Sequence, residues 1–218
     1  MHFEEILNTS RWSILESVAH GERGAAEIAS SAKTSLPNVS QQMRLLEAYG
    51  LVTQRKEEND GRKPVNVYAL AKEIGHVALV RKGFAGKKTL TMDKYHEAIM
   101  NIWFLNRNED HYFLAKFFWQ QEEFINACTA VAVVESKGDE IHLLVLAAPD
   151  KVADIRKRFS KILLTGPDGG KKRNIISWTH SISELEDGIA RQDSYFKNLL
   201  KSPHIIIDKE GALQAFMK

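Results

Sequence analysis

The chain has 218 residues, of which 44% are hydrophobic and 27% are charged. This composition excludes a disordered chain, and the length exceeds what one small domain needs, so we expect two folded units. No apolar run approaches the roughly 18 residues of a membrane span. The first residues show no basic region followed by an apolar stretch, so we expect no signal peptide and a cytoplasmic location.

Positive charge is concentrated in one segment of the chain. Residues 33–88 contain eleven Lys/Arg and five Asp/Glu, a net charge of +6. Because the whole chain has a net charge of +2, the remaining residues carry −4. A basic stretch in an otherwise acidic chain is typical of a protein that binds a polyanion, although a solvated charged surface is the alternative.

Three short helices are predicted in the first fifty residues. Thr9 or Ser10 caps the first helix, which ends at Gly21, and the second covers residues 25–30. After a short turn, Ser35 caps the third helix. Pro37 is tolerated in its first turn, where a backbone N–H has no partner within the helix.

Apolar spacing defines the buried face of this third helix and the hairpin that follows it. Val39, Met43 and Leu46 repeat at helical spacing, so we expect them to face the core. Gly50 ends the helix, residues 51–55 and 65–70 alternate as strands, and a polar connection over 56–64 has Asp60-Gly61 as its turn. A hairpin directly after a helix-turn-helix indicates a wing.

The stretch from Ala25 to Leu70 resembles the ArsR-like winged-helix regulators of bacteria and archaea. Their V-S-x-x-L-x-x-L helix followed by G-L-V appears here as V-S-Q-Q-M-R-L-L over 39–46 and then G-L-V over 50–52. The resemblance covers about residues 8–72 and implies DNA binding. Sparse cysteine and the pairing of this unit with the C-terminal domain suggest an archaeal source. The Cys-rich metal-sensing motif of ArsR proteins is absent, since residues 1–127 contain no cysteine.

The resemblance implies that the third helix enters the major groove and that the wing contacts the minor groove or the DNA backbone. Amide side chains can pair bidentately with adenine, and arginine with guanine or a phosphate. Serine and lysine suit phosphate contacts that set register, and an apolar residue suits a thymine methyl. For each residue, plain solvent exposure is the alternative. The candidate DNA contacts are Lys33, Ser35, Pro37, Asn38, Ser40, Gln41, Gln42, Arg44, Arg62 and Lys63.

Residues 73–91 are predicted to be a basic linker. Arg81, Lys82, Lys87 and Lys88 accompany two glycines, which indicates a mobile or hairpin-like segment. The segment could lie along a DNA backbone, or its charges could serve solubility alone.

The rest of the chain is predicted to combine helices with a small mixed sheet. Residues 92–127 are helical and hold nine of the nineteen aromatic residues, which favours a core or a dimer interface over base stacking. Strands follow at 130–135, 141–148, 174–178 and 205–207. Helices are predicted at 150–163, after a capping box at Ser181 or Ser183, and at 209–218. The fold class is therefore α+β or α/β: a winged helix-turn-helix over 1–72, the linker over 73–91, and a helical connector with a small mixed α/β domain over 92–218.

Residues 92–218 also resemble a small nucleotidyltransferase domain of the minimal or antitoxin type. The run E-I-H-L-L-V over 140–145 stands where that family has D-x-D-L-L-V, and 183–208 resembles its closing stretch. Ser136-Lys137-Gly138 replaces the family's G-S turn, His142 replaces a carboxylate, and residues 174–178 contain no acid. We therefore expect a non-catalytic relative with no metal and no cofactor, used for dimerisation, ligand sensing or partner recruitment.

Other candidate motifs indicate no chemistry. The glycine-rich run over 166–172 lacks the spacing of a P-loop and favours a surface loop over an anion site. Cys128 lies in an apolar stretch, which favours a buried hydrophobe over a redox sensor.

Three functions are compatible with these patterns. The favoured one is a sequence-specific regulator that binds double-stranded DNA as a homodimer, possesses no enzymatic activity and contacts basal transcription factors where it activates. An adaptor for the transcription machinery would lack sequence preference. A nucleotidyltransferase with a DNA-binding tether would need an intact metal site.

Overall fold

A computed structural model describes residues 9–59 and 62–217. At the tip of the first hairpin, only the backbone is described for residues 58, 59, 62 and 63. The chain divides into two compact units, Met1–Met92 and Asp93–Lys218.

The first unit contains the predicted three helices and the hairpin. Helix α1 covers Thr9–Ala19, α2 Ala25–Ser31 and α3 Leu36–Ala48, and strands β2 and β3 cover Val52–Asn59 and Arg62–Leu70. A two-residue strand β1, Arg23–Gly24, adds to β3 and makes an antiparallel sheet of order β1-β3-β2. The helices enclose a core with strands β2 and β3, formed by Ile14, Val18, Ile28, Val39, Met43, Leu46, Leu51, Val52 and Tyr68.

Two sequence expectations for this unit are corrected. Thr9 and Ser10 lie inside α1 and therefore cannot cap it. The hairpin is longer than expected, because most of the polar segment 56–64 continues the strands, with Lys56 opposite Asn66 and Asn59 opposite Arg62. Alternation of apolar residues did not indicate this extension, because residues 56–64 consist of polar residues, Gly61 and Pro64. The predicted turn at Asp60-Gly61 lies outside the described residues.

The segment predicted as a linker contains a second hairpin. Strand β4, Ile74–Arg81, pairs with β5, Phe84–Thr91, in a separate two-stranded antiparallel sheet.

The second unit is a five-stranded mixed sheet covered by helices. Helices α4 Lys94–Trp103, α5 Asn108–Gln120 and α6 Glu122–Ala127 come first. The strands are β6 Cys128–Lys137, β7 Glu140–Ala147, β8 Lys161–Thr165, β9 Lys172–His180 and β10 His204–Asp208, in the order β10-β6-β7-β9-β8. Helix α7, Pro149–Phe159, connects β7 to the sheet edge, and α8 Ile182–Ala190 and α9 Ser194–Leu199 follow β9.

Strand β7 lies at the centre of this sheet, as its apolar sequence predicts. It runs antiparallel to β6 and parallel to β9. Its side chains alternate between two cores, with Leu143 and Val145 facing the cluster that includes α4–α7, and Leu144 and Leu146 facing the cluster that includes α8 and α9.

Two expectations for the second unit were wrong. The helix predicted over 150–163 ends at Phe159, and 161–165 form strand β8 instead. The helix predicted over 209–218 is replaced by two short 3-10 turns, Lys209–Gly211 and Gln214–Phe216, because Glu210 adopts a left-handed backbone with φ +62°. The capping box forms at Ser181: its Oγ accepts from Glu184 N at 3.1 Å, and Ser181 N donates to the Glu184 carboxylate at 3.0 Å.

Candidate nucleic-acid interface

Helix α3 is fixed by its two ends and by its apolar face. Ser35 Oγ accepts a hydrogen bond from Asn38 N at 3.4 Å, and Pro37 lies in the first turn. Gly50 has φ +64°, a left-handed conformation that favours glycine, and Leu51 N donates to Leu46 O at 2.9 Å. The expected inward residues Val39, Met43 and Leu46 are fully buried, so the opposite face of α3 points outward.

The outward face of α3 presents one exposed stripe. Pro37, Gln41 and Arg44 are exposed and recur at intervals of three or four residues, which places them on the same side of the helix. Lys33 and Ser35, in and after the turn that precedes α3, are exposed as well. Five of the ten predicted contacts are therefore exposed, three along α3 and two just before it.

Two of the predicted contacts are engaged between helices α1 and α3 instead. Asn38 Nδ2 donates to Thr34 Oγ1 at 2.8 Å and to Ser10 Oγ at 3.2 Å. Gln42 Nε2 donates to Asn38 Oδ1 at 3.3 Å, and Gln42 Oε1 accepts from Arg11 Nε at 2.6 Å. These amides hold α3 on α1, and their groups are occupied within the protein.

Ser40 has a local partner. It is half-buried, and its Oγ donates to Leu36 O, one turn earlier, at 3.1 Å. This hydrogen bond is typical of serine within a helix and engages the hydroxyl hydrogen, leaving the oxygen lone pairs.

The predicted contacts Arg62 and Lys63 lie at the start of β3, and their side chains are outside the described residues. Nearer the core, Arg55 on β2 forms an ion pair and a hydrogen bond with Glu22. The hydrogen bond and the charge of Arg55 hold the pKa of the Glu22 carboxyl below its usual value. Arg55 is therefore compensated within the protein, whereas the side chain of Lys56 is exposed.

Two cations beside α3 were not among the predicted contacts. Arg11 on α1 orients Gln42, and no local pattern indicates that it faces α3. Lys72 Nζ lies 3.9 Å from the place that a Cβ would take at Gly50, so an ammonium group stands beside the C-terminal end of α3. A positive charge there is favourable with respect to the helix dipole.

The positions that the sequence resemblance to nucleotidyltransferases singled out lie on β7 and β9 of the second unit, and no comparison with known proteins supports that resemblance. The Glu140 carboxylate pairs with His142 Nε2 at 3.3 Å and with Lys161 Nζ at 3.7 Å. The Trp178 indole N–H donates to His142 Nδ1 at 3.2 Å, and Asn174 lies opposite Glu140. Among residues 9–59 and 62–217, no group of three or more His, Cys, Asp or Glu side chains is placed to hold a metal ion.

The remaining candidates of the second unit are paired with carboxylates or buried. Arg173, at the end of the glycine-rich loop, is buried and pairs with Asp110 at 3.3 Å and with Asp139 at 2.7 Å. Lys171 lies 3.8 Å from the Glu109 carboxylate. Burial raises the pKa of Cys128 to about 12, so its thiol is protonated and unreactive at neutral pH.

No protein-family model and no curated protein matches the sequence. Five chains of solved structures match it. One is a homodimeric winged helix-turn-helix DNA-binding domain from Mycobacterium bovis, described as a possible ArsR-family transcriptional regulator, with 29% identity over 32% of this chain and 59% of that chain and a TM-score of 0.28. This chain thus spans about three fifths of that domain.

A second similar structure is PadR from Bacillus subtilis in complex with operator DNA. It is 14% identical over 86% of this chain and 93% of that chain, with a TM-score of 0.26. Both superpositions are too loose to establish a shared fold.

No helix within the described part of the chain is long and apolar enough to cross a bilayer.

Proposed function

We propose that this chain is a sequence-specific DNA-binding transcription regulator. The observation that carries the proposal is the outward stripe of α3, where Gln41 and Arg44 project from a helix fixed by a cap, a buried face and a side-chain network. An α-helix fits the major groove, and a rigid support lowers the entropy lost when its side chains engage bases. The long β2–β3 hairpin follows α3 directly, as a wing does.

Each residue of this surface has a specific role in the proposed complex. Gln41 pairs with adenine and Arg44 with guanine, while Lys33 and Ser35 contact phosphates and fix the register. Pro37 supplies an apolar contact for a thymine methyl. Asn38 and Gln42 act as positioning residues, because base contacts would require breaking their bonds to Thr34 and Arg11. Arg62 and Lys63 at the wing extend the contact to the minor groove or backbone.

The second unit serves assembly, sensing or recruitment and is not catalytic in this proposal. The pairing of Glu140 with Lys161 and His142 leaves its carboxylate compensated by protein groups rather than poised for a metal ion. We infer that the chain acts as a homodimer, because two linked helices that bind a two-fold site gain affinity. A concentration-independent monomer mass in light scattering would contradict the dimer.

An adaptor for basal transcription factors is a second candidate, favoured by one observation. The second unit exposes several large aromatic side chains, with Phe104 76% and Trp119 78% exposed. Such residues are enriched at protein–protein contacts. An adaptor differs from a regulator because its DNA binding shows no sequence preference.

The decisive experiment is fluorescence anisotropy on the fragment upstream of the chain's own gene and on a shuffled duplex, each at two salt concentrations. Wild type, Arg44→Ala and the control Lys157→Ala are compared, since Lys157 is an exposed cation of the second unit. We expect preference for the native fragment, with a loss of about 1–3 kcal/mol for Arg44→Ala and none for the control.

Equal and weak binding to both duplexes would be followed by selection from random DNA. If no sequence is enriched, sequence specificity is refuted and the adaptor remains. If enrichment appears but Arg44→Ala retains the full preference, α3 is not the base-contacting element.

A further inference from the structure

The β4–β5 hairpin is a long arm with a fixed base. Its strands pair without interruption from Ile74 opposite Thr91 to Arg81 opposite Phe84. Eight residues per strand give a length of about 25 Å. Ile74 packs on the core of the first unit, so the base is attached to the same unit that carries α3. Met92 N donates to Glu73 O at 3.4 Å and closes the base of the hairpin.

The distal part of this arm is exposed on both faces. Val80 is 84% exposed, and Leu79 and Phe84 are each 49% exposed. The sheet contains only two strands, and two strands alone are marginally stable in water. A segment that protrudes this far without contributing to the core is typical of a surface that contacts a partner.

The charge of the arm has one sign. Residues 74–91 contain four cations, Arg81, Lys82, Lys87 and Lys88, and no acid. Within the described part of the chain, no carboxylate pairs with Arg81, Lys82 or Lys88. In the β2–β3 hairpin, by contrast, the charge of Arg55 is compensated by the carboxylate of Glu22.

The tip of the arm is ordered around one aromatic ring. The Phe84 ring lies against Gly86, where an added Cβ would stand 2.8 Å from it. The Arg81 guanidinium lies 5.4 Å from the centre of the same ring. Glycine leaves room for the ring, and the ring supports the cation, so Arg81 is held at the tip rather than free to rotate.

We propose that the β4–β5 hairpin is a second DNA-contacting arm, which binds the phosphate backbone of the duplex beyond the base pairs contacted by α3. This inference rests on the proposed DNA-binding function. The uniform positive charge matches a polyphosphate, and a two-stranded ribbon fits against a groove. Attachment to the unit that carries α3 favours DNA over an anionic lipid surface, the other partner that such charge would suit.

The test measures how binding to a 40-base-pair duplex of random sequence depends on salt. The hairpin variant carries Arg81→Gln, Lys82→Gln, Lys87→Gln and Lys88→Gln in the full chain. The control variant removes the same charge from exposed positions of the second unit, with Lys151→Gln, Lys157→Gln, Lys197→Gln and Lys201→Gln. A third variant keeps the charge of the arm through Arg81→Lys, Lys82→Arg, Lys87→Arg and Lys88→Arg.

We expect the slope of log K against log salt to become less steep by roughly two to four for the hairpin variant, since each phosphate contact contributes about 0.9. Affinity at 0.1 M salt should fall at least tenfold, while the charge-conserving variant behaves like wild type. The preference between operator and shuffled DNA should persist in the hairpin variant, because backbone contacts carry no base information.

Three other outcomes would contradict the proposal that the hairpin contacts DNA. Equal slopes for the hairpin and control variants would refute a DNA contact by the hairpin and would leave the proposed role of α3 unaffected. Wild-type protein that binds no duplex would refute the proposed DNA-binding function itself. Hairpin-dependent binding to phosphatidylserine vesicles, with unchanged binding to DNA, would assign the arm to a lipid surface instead.

Discussion

The second unit contains a buried ion pair, whereas the first unit contains clusters of exposed cations. In the second unit, Asp110 is 2% exposed and accepts hydrogen bonds from Ser136 Oγ at 2.5 Å and from Arg173 Nε at 3.3 Å. In the first unit, Arg44 and the cations of the β4–β5 hairpin point outward. Charges that are paired inside one unit hold its fold together, whereas outward charges are available to a partner. Local charge density alone does not distinguish the two roles.

The largest expected effect is the loss of the buried ion pair. Arg173→Met leaves Asp110 buried with an incomplete set of partners, so we expect the free energy of unfolding to fall by about 3 kcal/mol. Hydrogen exchange of the β6 and β7 amides measures this change in the free energy of unfolding. Lys172→Met is the matched control, because Lys172 is the exposed neighbour. Equal effects of both variants would contradict an inward, structural role for Arg173.

Helix caps give the next contrast between the units. Ser181 is buried and takes part in a capping box, so Ser181→Ala should cost about 1.5 kcal/mol. Ser35 is exposed and its bond is long, at 3.4 Å, so Ser35→Ala should cost about 0.5 kcal/mol. Hydrogen exchange of α8 and α3 gives both values. A larger loss at Ser35 would mean that α3 depends on its cap more than on its packing.

A titrating histidine provides a smaller effect. Burial, and then the charge of Arg156, lower the pKa of His180 below its usual 6.5, against the opposing influence of Glu184. The unfolded chain therefore binds a proton more readily, so this group's contribution is fully present above pH 6.5 and is lost as pH falls towards the lowered pKa. Burial raises the pKa of Glu184, but hydrogen bonds outweigh it and lower this pKa below its usual 4.5. Glu184 therefore contributes to the pH dependence of stability only below about pH 4.5.

We expect His180→Gln to flatten the loss of stability between pH 7 and pH 5, as measured by urea denaturation at each pH. His20→Gln, at an exposed position of the first unit, is the control. If the pH dependence is unchanged in His180→Gln and flattened in the control, the titrating group belongs to the first unit.

The smallest effect is expected at the surface pair of the first unit. Arg55 and Glu22 are about half-exposed, with side-chain exposures of 52% and 48%, so solvent screens their attraction. Arg55→Gln should change the Tm by less than about 2 °C. A larger decrease, reproduced by Glu22→Gln, would show that the wing uses this pair structurally and would weaken the contrast with the second unit.

Local signals account for what the sequence predicted well. Helix α3 has a cap, an apolar period and a terminal glycine, and β7 is apolar along its whole length, so each could be located without knowledge of its neighbours. Strand β8 was missed because Ile162 continues the helical spacing of Ile155 and Phe159, and only its pairing with β9 makes it a strand. Pairing between distant segments leaves no local signal in a single sequence.

The sequence also predicted only part of the candidate site. Gln41 and Arg44 could be placed on the outward face because the period of α3 is clear. Asn38 and Gln42 could not be distinguished from them, because their partners, Ser10 and Arg11, belong to another helix. The Asp110–Arg173 pair joins residues 63 positions apart and was equally invisible.

One backbone detail next to α3 also bears on how this surface could change by substitution. Lys33 has φ +50°, a left-handed conformation that costs a residue with a Cβ about 1 kcal/mol relative to glycine. Glycine would relax the turn but would remove an exposed cation from the approach to α3. Stability and surface charge therefore favour different residues at position 33, and a selection for stability alone that accepted glycine there would lose this charge.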